Sequence, residues 1–177
     1  MIIGHLPAGY LLAHVVHQCH SVAKVTNRKL VLFAALIGSI FPDIDLLYFY
    51  LVDHLAHHHH TYWTHLPVFW LVLFALVLAT LAATGRRRAF TLCGVFALSI
   101  ALHLMLDSIV GDIWWLYPFI DKPYALFTVA PSQTAWLLSF VLHWSFLLEL
   151  GVALVASRVF LQRHRGKTNA RAHVQSD

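Results

Sequence analysis

The chain has 177 residues, 59% of them hydrophobic and 11% charged, and its mean hydropathy is +0.70. Globular proteins average about 45–50% apolar and about 25% charged residues, so a disordered chain, a collagen, a disulfide scaffold and an ordinary soluble domain are excluded. The formal net charge of +4 is not spread evenly, and its distribution argues for membrane topology rather than for a nucleic-acid partner.

At about 20 residues per span, this length holds one all-α polytopic bundle of four to five spans. The first apolar segment covers residues 6–23 and is interrupted by His14, His17 and His20. Tyr10, His14, His17 and Gln18 share one helical face, which suits hydrogen bonding to a neighbouring helix. Whether this segment spans or lies in the interface is open at this stage. The second segment, 30–51, is broken by Gly38, Pro42, Asp43 and Asp45. A histidine-dense stretch, 53–65, follows. The third segment, 66–84, is almost free of polar groups, with Thr64 available as its cap and Pro67 tolerated in its first turn. The fourth covers 89–110. A longer connection, 111–134, carries Trp114, Trp115, Tyr117, Phe119, Tyr124 and Phe127, a composition favoured at the membrane interface. The last segment runs over 135–161. Residues 1–161 thus read as one transmembrane domain, and 162–177 as a basic, disordered tail.

Lys24, Arg28 and Lys29 form one basic cluster, Arg86, Arg87 and Arg88 a second, and Arg158, Arg163, Arg165, Lys167 and Arg171 a third. Each lies just outside an apolar run, so these ends, the C-terminus included, are expected in the cytoplasm. The stretches 52–65 and 111–134 then face the other side. The tail reads as a solvated segment near anionic lipid, with the bilayer as the main partner and no nucleic acid. Cys19 and Cys93 lie in apolar segments and are too few for a disulfide framework. The N-terminus lacks a basic leader and a small-residue cleavage site, and reads as mature sequence.

Ionisable groups in membrane segments are costly and point to function. Here they converge on the non-cytoplasmic side: His5, Asp43, Asp45, His60, His65, His103, Asp107, His143 and Glu149. His103 and Asp107 are spaced i,i+4 and project from one helical face, which suits a divalent metal such as zinc, with manganese or iron as alternatives. Asp43 and Asp45 would be splayed by about 200° on a regular helix. Pro42 disfavours helix at Phe41, so a break can turn both acids toward one site. The run His57, His58, His59 points its rings in different directions and reads as solvent-facing. Glu149, the only Glu in the chain, needs a partner or a proton inside a membrane.

At these residues the chain resembles the inner-membrane metal-dependent hydrolases also labelled LexA-binding, membrane-associated hydrolases. That family carries an N-terminal His, a Pro-Asp-hydrophobic-Asp motif, a His-Arg-x-x-Thr-His motif and a His-x-x-x-Asp motif, then a glycine and a Trp-Pro region. They appear here as Gly4-His5, Pro42-Asp43-Ile44-Asp45, His60-Thr61-Tyr62-Trp63-Thr64-His65 and His103-Leu104-Met105-Leu106-Asp107, followed by Gly111 and residues 114–118. Thr61 stands where the family has Arg, and Leu66 where it often has Ser. The resemblance singles out His60 and His65 within the histidine stretch. It implies a bacterial inner-membrane enzyme with His5, Asp43, His60, His65, His103 and Asp107 around metal and Asp45 as general base or orienting group; His143 as a further metal ligand and Glu149 as an alternative base are read from their own place in the last segment, where no family motif falls. That family is in turn distantly similar to zinc-dependent phospholipase C and P1-type nucleases, which implies attack of activated water on a phosphoester, with a lipid-linked substrate the first expectation. Two other classes stay open: a metal-binding or metal-transporting protein without catalysis, and a di-iron oxygenase suggested by His54-x-x-His57-His58.

Overall fold

The computed structural model describes residues 3–54, 56–57, 59–127 and 143–174, with side chains through 165. The described residues are built from helices: α1 (His5–Gln18), α2 (His20–Val25), α3 (Arg28–Ile40), α4 (Asp45–Leu51), α5 (Pro67–Ala83), α6 (Arg87–Asp107) and α7 (Trp144–Val174). The one strand-like pairing among them is an isolated bridge between Ile113 and Tyr124.

Local chemistry sets the boundaries. The Asn27 side chain accepts a hydrogen bond from the Leu30 amide at 3.0 Å and caps α3. Pro42 then ends the regular helix. Residues Pro42–Ile44 form a 3-10 turn, and the chain bends by 53° between α3 and the Pro42–Leu51 segment. Pro67 opens α5, where its missing N–H costs nothing. Gly85 follows α5 with φ +66°, the left-handed conformation common just past a helix end. The first apolar segment is two helices rather than one, because Cys19 adopts an extended conformation with ψ 120°.

Two helical stretches are long and apolar enough to cross a membrane, Arg87–Asp107 and Trp144–Arg165. The bent pair Arg28–Ile40 and Pro42–Leu51 adds a third if it acts as one span. α5 has 17 residues, about 25 Å of helix, short of a hydrocarbon core of about 30 Å. The described helices therefore reach two or three spans by length and composition, below the four to five expected. The last helix also runs on to Val174 instead of giving way to a disordered tail after 161. Its continuation carries Arg163, Arg165, Lys167, Ala170, Arg171 and Ala172, all good helix formers.

The core is the contact of α1, α3 and α6. Ala13, Val31, Ala35 and Val95 are buried together. Small residues let the backbones close up. A Cβ on Gly9 would lie 2.6 Å from Ser39 Oγ, and one on Gly38 2.7 Å from the Phe96 carbonyl oxygen. The Ser99 hydroxyl donates to the Ala35 carbonyl at 2.6 Å. Trp70, Ile100 and Leu104 pack α5 onto α6. α7 lies beside α1, with the rings of Tyr10 and Phe160 6.2 Å apart. Leu71, Leu76, Leu147 and Leu154 point outward, as expected of surfaces that meet lipid.

Candidate functional site

Four segments end at one place: the start of α1, the Pro42 break, the 3-10 turn Trp63–His65 and the C-terminal end of α6. The break does what the residue pattern predicts for Asp43 and Asp45. Both face His65, from opposite sides of its ring. Asp45 Oδ2 accepts a hydrogen bond from His65 Nδ1 at 2.6 Å. Asp43 Oδ1 lies 3.8 Å from His65 Nε2 and 3.7 Å from His103 Nε2.

On α6, His103 Nε2 stands 3.0 Å from Asp107 Oδ2, the i,i+4 geometry expected of that pair. His103 Nδ1 donates to the Ser39 carbonyl at 2.7 Å. A carbonyl only accepts, so Nδ1 carries a proton, and Nε2 is the ring nitrogen turned inward toward Asp107. The Asp45 bond does the same for His65. Neither inward nitrogen makes a hydrogen bond among the described residues. His65, His103 and Asp107 are buried, and Asp43 is the partly exposed member.

One ligand atom from each of Asp43, His65, His103 and Asp107 fits within 4.8 Å of the others. The donor separations of 3.0, 3.7 and 3.8 Å bracket the edge of about 3.4 Å expected for a tetrahedron with ligand bonds of about 2.1 Å. Two imidazoles and two carboxylates are a donor set for zinc, manganese or ferrous iron. The residues present fit one divalent ion.

His5 and His60 border this group. His5 Nε2 is 3.1 Å from Asp107 Oδ1, and its ring stacks on His103 with centroids 3.8 Å apart. His60 Nε2 is 3.9 Å from Asp107 Oδ2. A Cβ on Gly111 would come within 2.6 Å of the His60 ring, so only glycine leaves that ring its space. His59, His60 and His65 form a second group able to hold an ion. His59 is half-buried, not solvent-facing as its run suggested. His57 is 70% exposed at its side chain and pairs with Asp53 at 2.8 Å. His58 lies outside the described residues.

Two expected site residues stand apart. Glu149 is fully buried, and its Oε2 accepts from the amides of Ile3 at 2.6 Å and Gly4 at 3.0 Å. It holds the start of α1, and so supports His5 from behind. His143 Nδ1 pairs with Ser145 Oγ at 2.8 Å and belongs to neither ligand group. The expectation that Thr64 caps α5 is also corrected. Its hydroxyl donates to Asp45, and its carbonyl accepts from the Trp70 indole at 2.8 Å. Thr64 and the Ser39 carbonyl are the supporting groups that residue pattern did not single out.

The connection after α6 is tied back to the same end. The Leu126 amide donates to the Ser108 carbonyl at 2.8 Å and the Phe127 amide to the Ile109 carbonyl at 3.0 Å. The Trp115 indole donates to Ser108 Oγ at 2.8 Å. Residues 128–142, which the sequence assigned to the end of this connection and the start of the last segment, lie outside the described residues.

No curated protein matches the chain, and no solved structure does. A family model does, over residues 1–170. The apolar helices agree with the membrane setting that its description names, and the chain belongs to the YdjM inner membrane protein family.

Proposed function

We propose that this chain is a membrane-embedded, metal-dependent hydrolase acting on phosphoesters at the membrane surface. The observation that carries the reading is the pair of inward Nε2 atoms, on His65 and His103, facing the carboxylates of Asp43 and Asp107. Such a donor set inside an inner-membrane bundle has a high desolvation cost unless an ion balances it. A divalent ion held there supplies Lewis acidity and brings the pKa of water toward neutrality.

The chain's own residues do the rest. Asp45 and the Ser39 carbonyl lock the tautomers and orientations of His65 and His103. His5, beside Asp107 Oδ1, and His60 are placed to exchange protons at the rim. Asp43, the exposed ligand, marks the side from which substrate approaches. Lipid-linked substrates are favoured by an apolar cavity of about 530 Å³ between α5 and α6, lined by Trp70, Leu104 and Trp115 among others. Leu104 follows His103 in α6, and the Trp70 indole is bonded to the Thr64 carbonyl, so residues that line this cavity adjoin residues of the site. The bundle is read as four or five spans, with the site on the periplasmic side and both the Arg86–Arg88 turn and the C-terminus in the cytoplasm.

The test is turnover by the purified full chain in proteoliposomes, with a phospholipid and a chromogenic phosphodiester as substrates. Metal-dependent release of product that is abolished in Asp107→Ala is the expected result. Metal flux into the vesicles without turnover would replace this reading with transport. Stoichiometric iron with a di-iron spectroscopic signature would replace it with an oxygenase.

A further inference from the structure

A second cavity, of about 670 Å³, opens at the other end of the bundle between α1, the start of α3 and α7. Tyr10, Arg28, Lys29, Phe160 and Arg163 are among its lining residues, and among the described residues no acid lines it. Arg28 and Arg163 are half-buried and close enough for their like charges to act on each other. Arg163 donates to His14 Nδ1, a neutral acceptor that leaves the charge uncompensated. Of the eight acids in the chain, Asp43, Asp45, Asp53, Asp107, Asp112, Asp121 and Glu149 belong to the opposite end or its loops, and the eighth is Asp177. Arg163 lies fourteen residues beyond Glu149, about 21 Å along α7, which brings this cavity toward the opposite membrane surface.

We propose that this cavity binds the phosphate headgroup of an anionic phospholipid from the leaflet at that end. Two guanidinium forks and an ammonium converge where a phosphate diester accepts their hydrogen bonds. Tyr10 adds a hydroxyl. Leu32 and Phe160 supply an apolar wall for the upper part of an acyl chain. Basic pockets between membrane helices recognise anionic headgroups in this way. The site is independent of the candidate metal centre and of any reaction there.

The test is native mass spectrometry on the delipidated full chain, titrated with phosphatidylglycerol, cardiolipin or phosphatidylcholine. The anionic lipids should bind in preference to phosphatidylcholine. Arg28→Gln/Arg163→Gln should weaken them by about tenfold or more, since each cation near an anionic lipid is worth about a factor of five. Arg28→Lys/Arg163→Lys should recover part of the loss, and Arg86→Gln/Arg87→Gln, which removes the same charge elsewhere, should leave binding unchanged. Equal binding of phosphatidylcholine, or an equal loss in the control variant, overturns the proposal. Displacement of lipid by millimolar inorganic phosphate overturns the lipid assignment in favour of a free-phosphate site. If the glutamine variant does not fold, hydrogen exchange on the wild type decides. Added phosphatidylglycerol must slow exchange at residues 27–32 and 160–164, and no slowing there overturns the proposal.

Discussion

Asp45 accepts a hydrogen bond from Nδ1 of His65 at 2.6 Å, across twenty positions of sequence. The bond puts a proton on Nδ1, and so leaves Nε2 as the ring atom that faces Asp43 and Asp107. Asp45→Asn leaves the ligands in place but weakens this hold. It should reduce metal affinity by about 10–100-fold, measured by competition with a chromophoric chelator, whereas His65→Ala should remove tight binding altogether. Unchanged affinity in Asp45→Asn would mean that this contact does not tune the site.

Glu149 is predicted to act through stability. Its Oε2 accepts from the buried Gly4 amide and the part-buried Ile3 amide, and Glu149→Ala removes this acceptor from both. The loss should be about 1–3 kcal/mol for each buried group left unpaired, read as a lower Tm in detergent. Glu149→Gln keeps an acceptor and should lose less. An Ala variant as stable as the wild type would contradict this role.

Close helix contact makes a separate prediction. In Gly38→Ala the new methyl would meet the Phe96 carbonyl at 2.7 Å and the Ser99 Cβ at 2.9 Å. Overpacking of this kind costs about 1–3 kcal/mol, and it pushes α3 from α6, which carry Ser39 and His103. Gly94→Ala on α6 meets nothing within 4 Å and should be neutral or slightly stabilising. Thermal melts of the two variants in one detergent check the contrast, and equal melting would refute it.

The loop after α4 carries a pH signature. Hydrogen bonds from His57 hold the Asp53 carboxyl down at about 2, against an ordinary 3.8. A depressed carboxyl contributes stability above its unfolded value, and that contribution is lost as pH falls through the folded one. The 53–57 turn should therefore hold through pH 4 and loosen only toward about 2. A carboxyl-carbon NMR titration of Asp53 tests this; a midpoint near the ordinary value would contradict the contact.

Much of the site was legible because its chemistry is local. His103 and Asp107 sit one helical turn apart, and Pro42 announces the break that lets two alternate acids face one imidazole. The supporting groups were harder to read. The partner of His103 is a backbone carbonyl 64 residues away, and a carbonyl has no residue signature. Glu149 reaches two amides more than 140 positions distant, where sequence suggested a role in the chemistry. Thr64 looked like a cap because it precedes a proline-led helix, but its hydroxyl donates to the buried Asp45 carboxylate, a charge-assisted bond stronger than the neutral one a cap accepts from a helix N–H. The described helices reach only two or three spans by length and composition because apolar runs hide breaks, at Cys19 and Pro42, and because a 17-residue helix is short of a full crossing.

The most direct test of the metal centre is elemental mass spectrometry on detergent-purified, untagged protein beside the His65→Ala/Asp107→Ala variant. The four-ligand site predicts stoichiometric zinc, manganese or iron in the wild type and its loss in the variant. A wild type without bound metal, or a variant that retains the same amount, would contradict it.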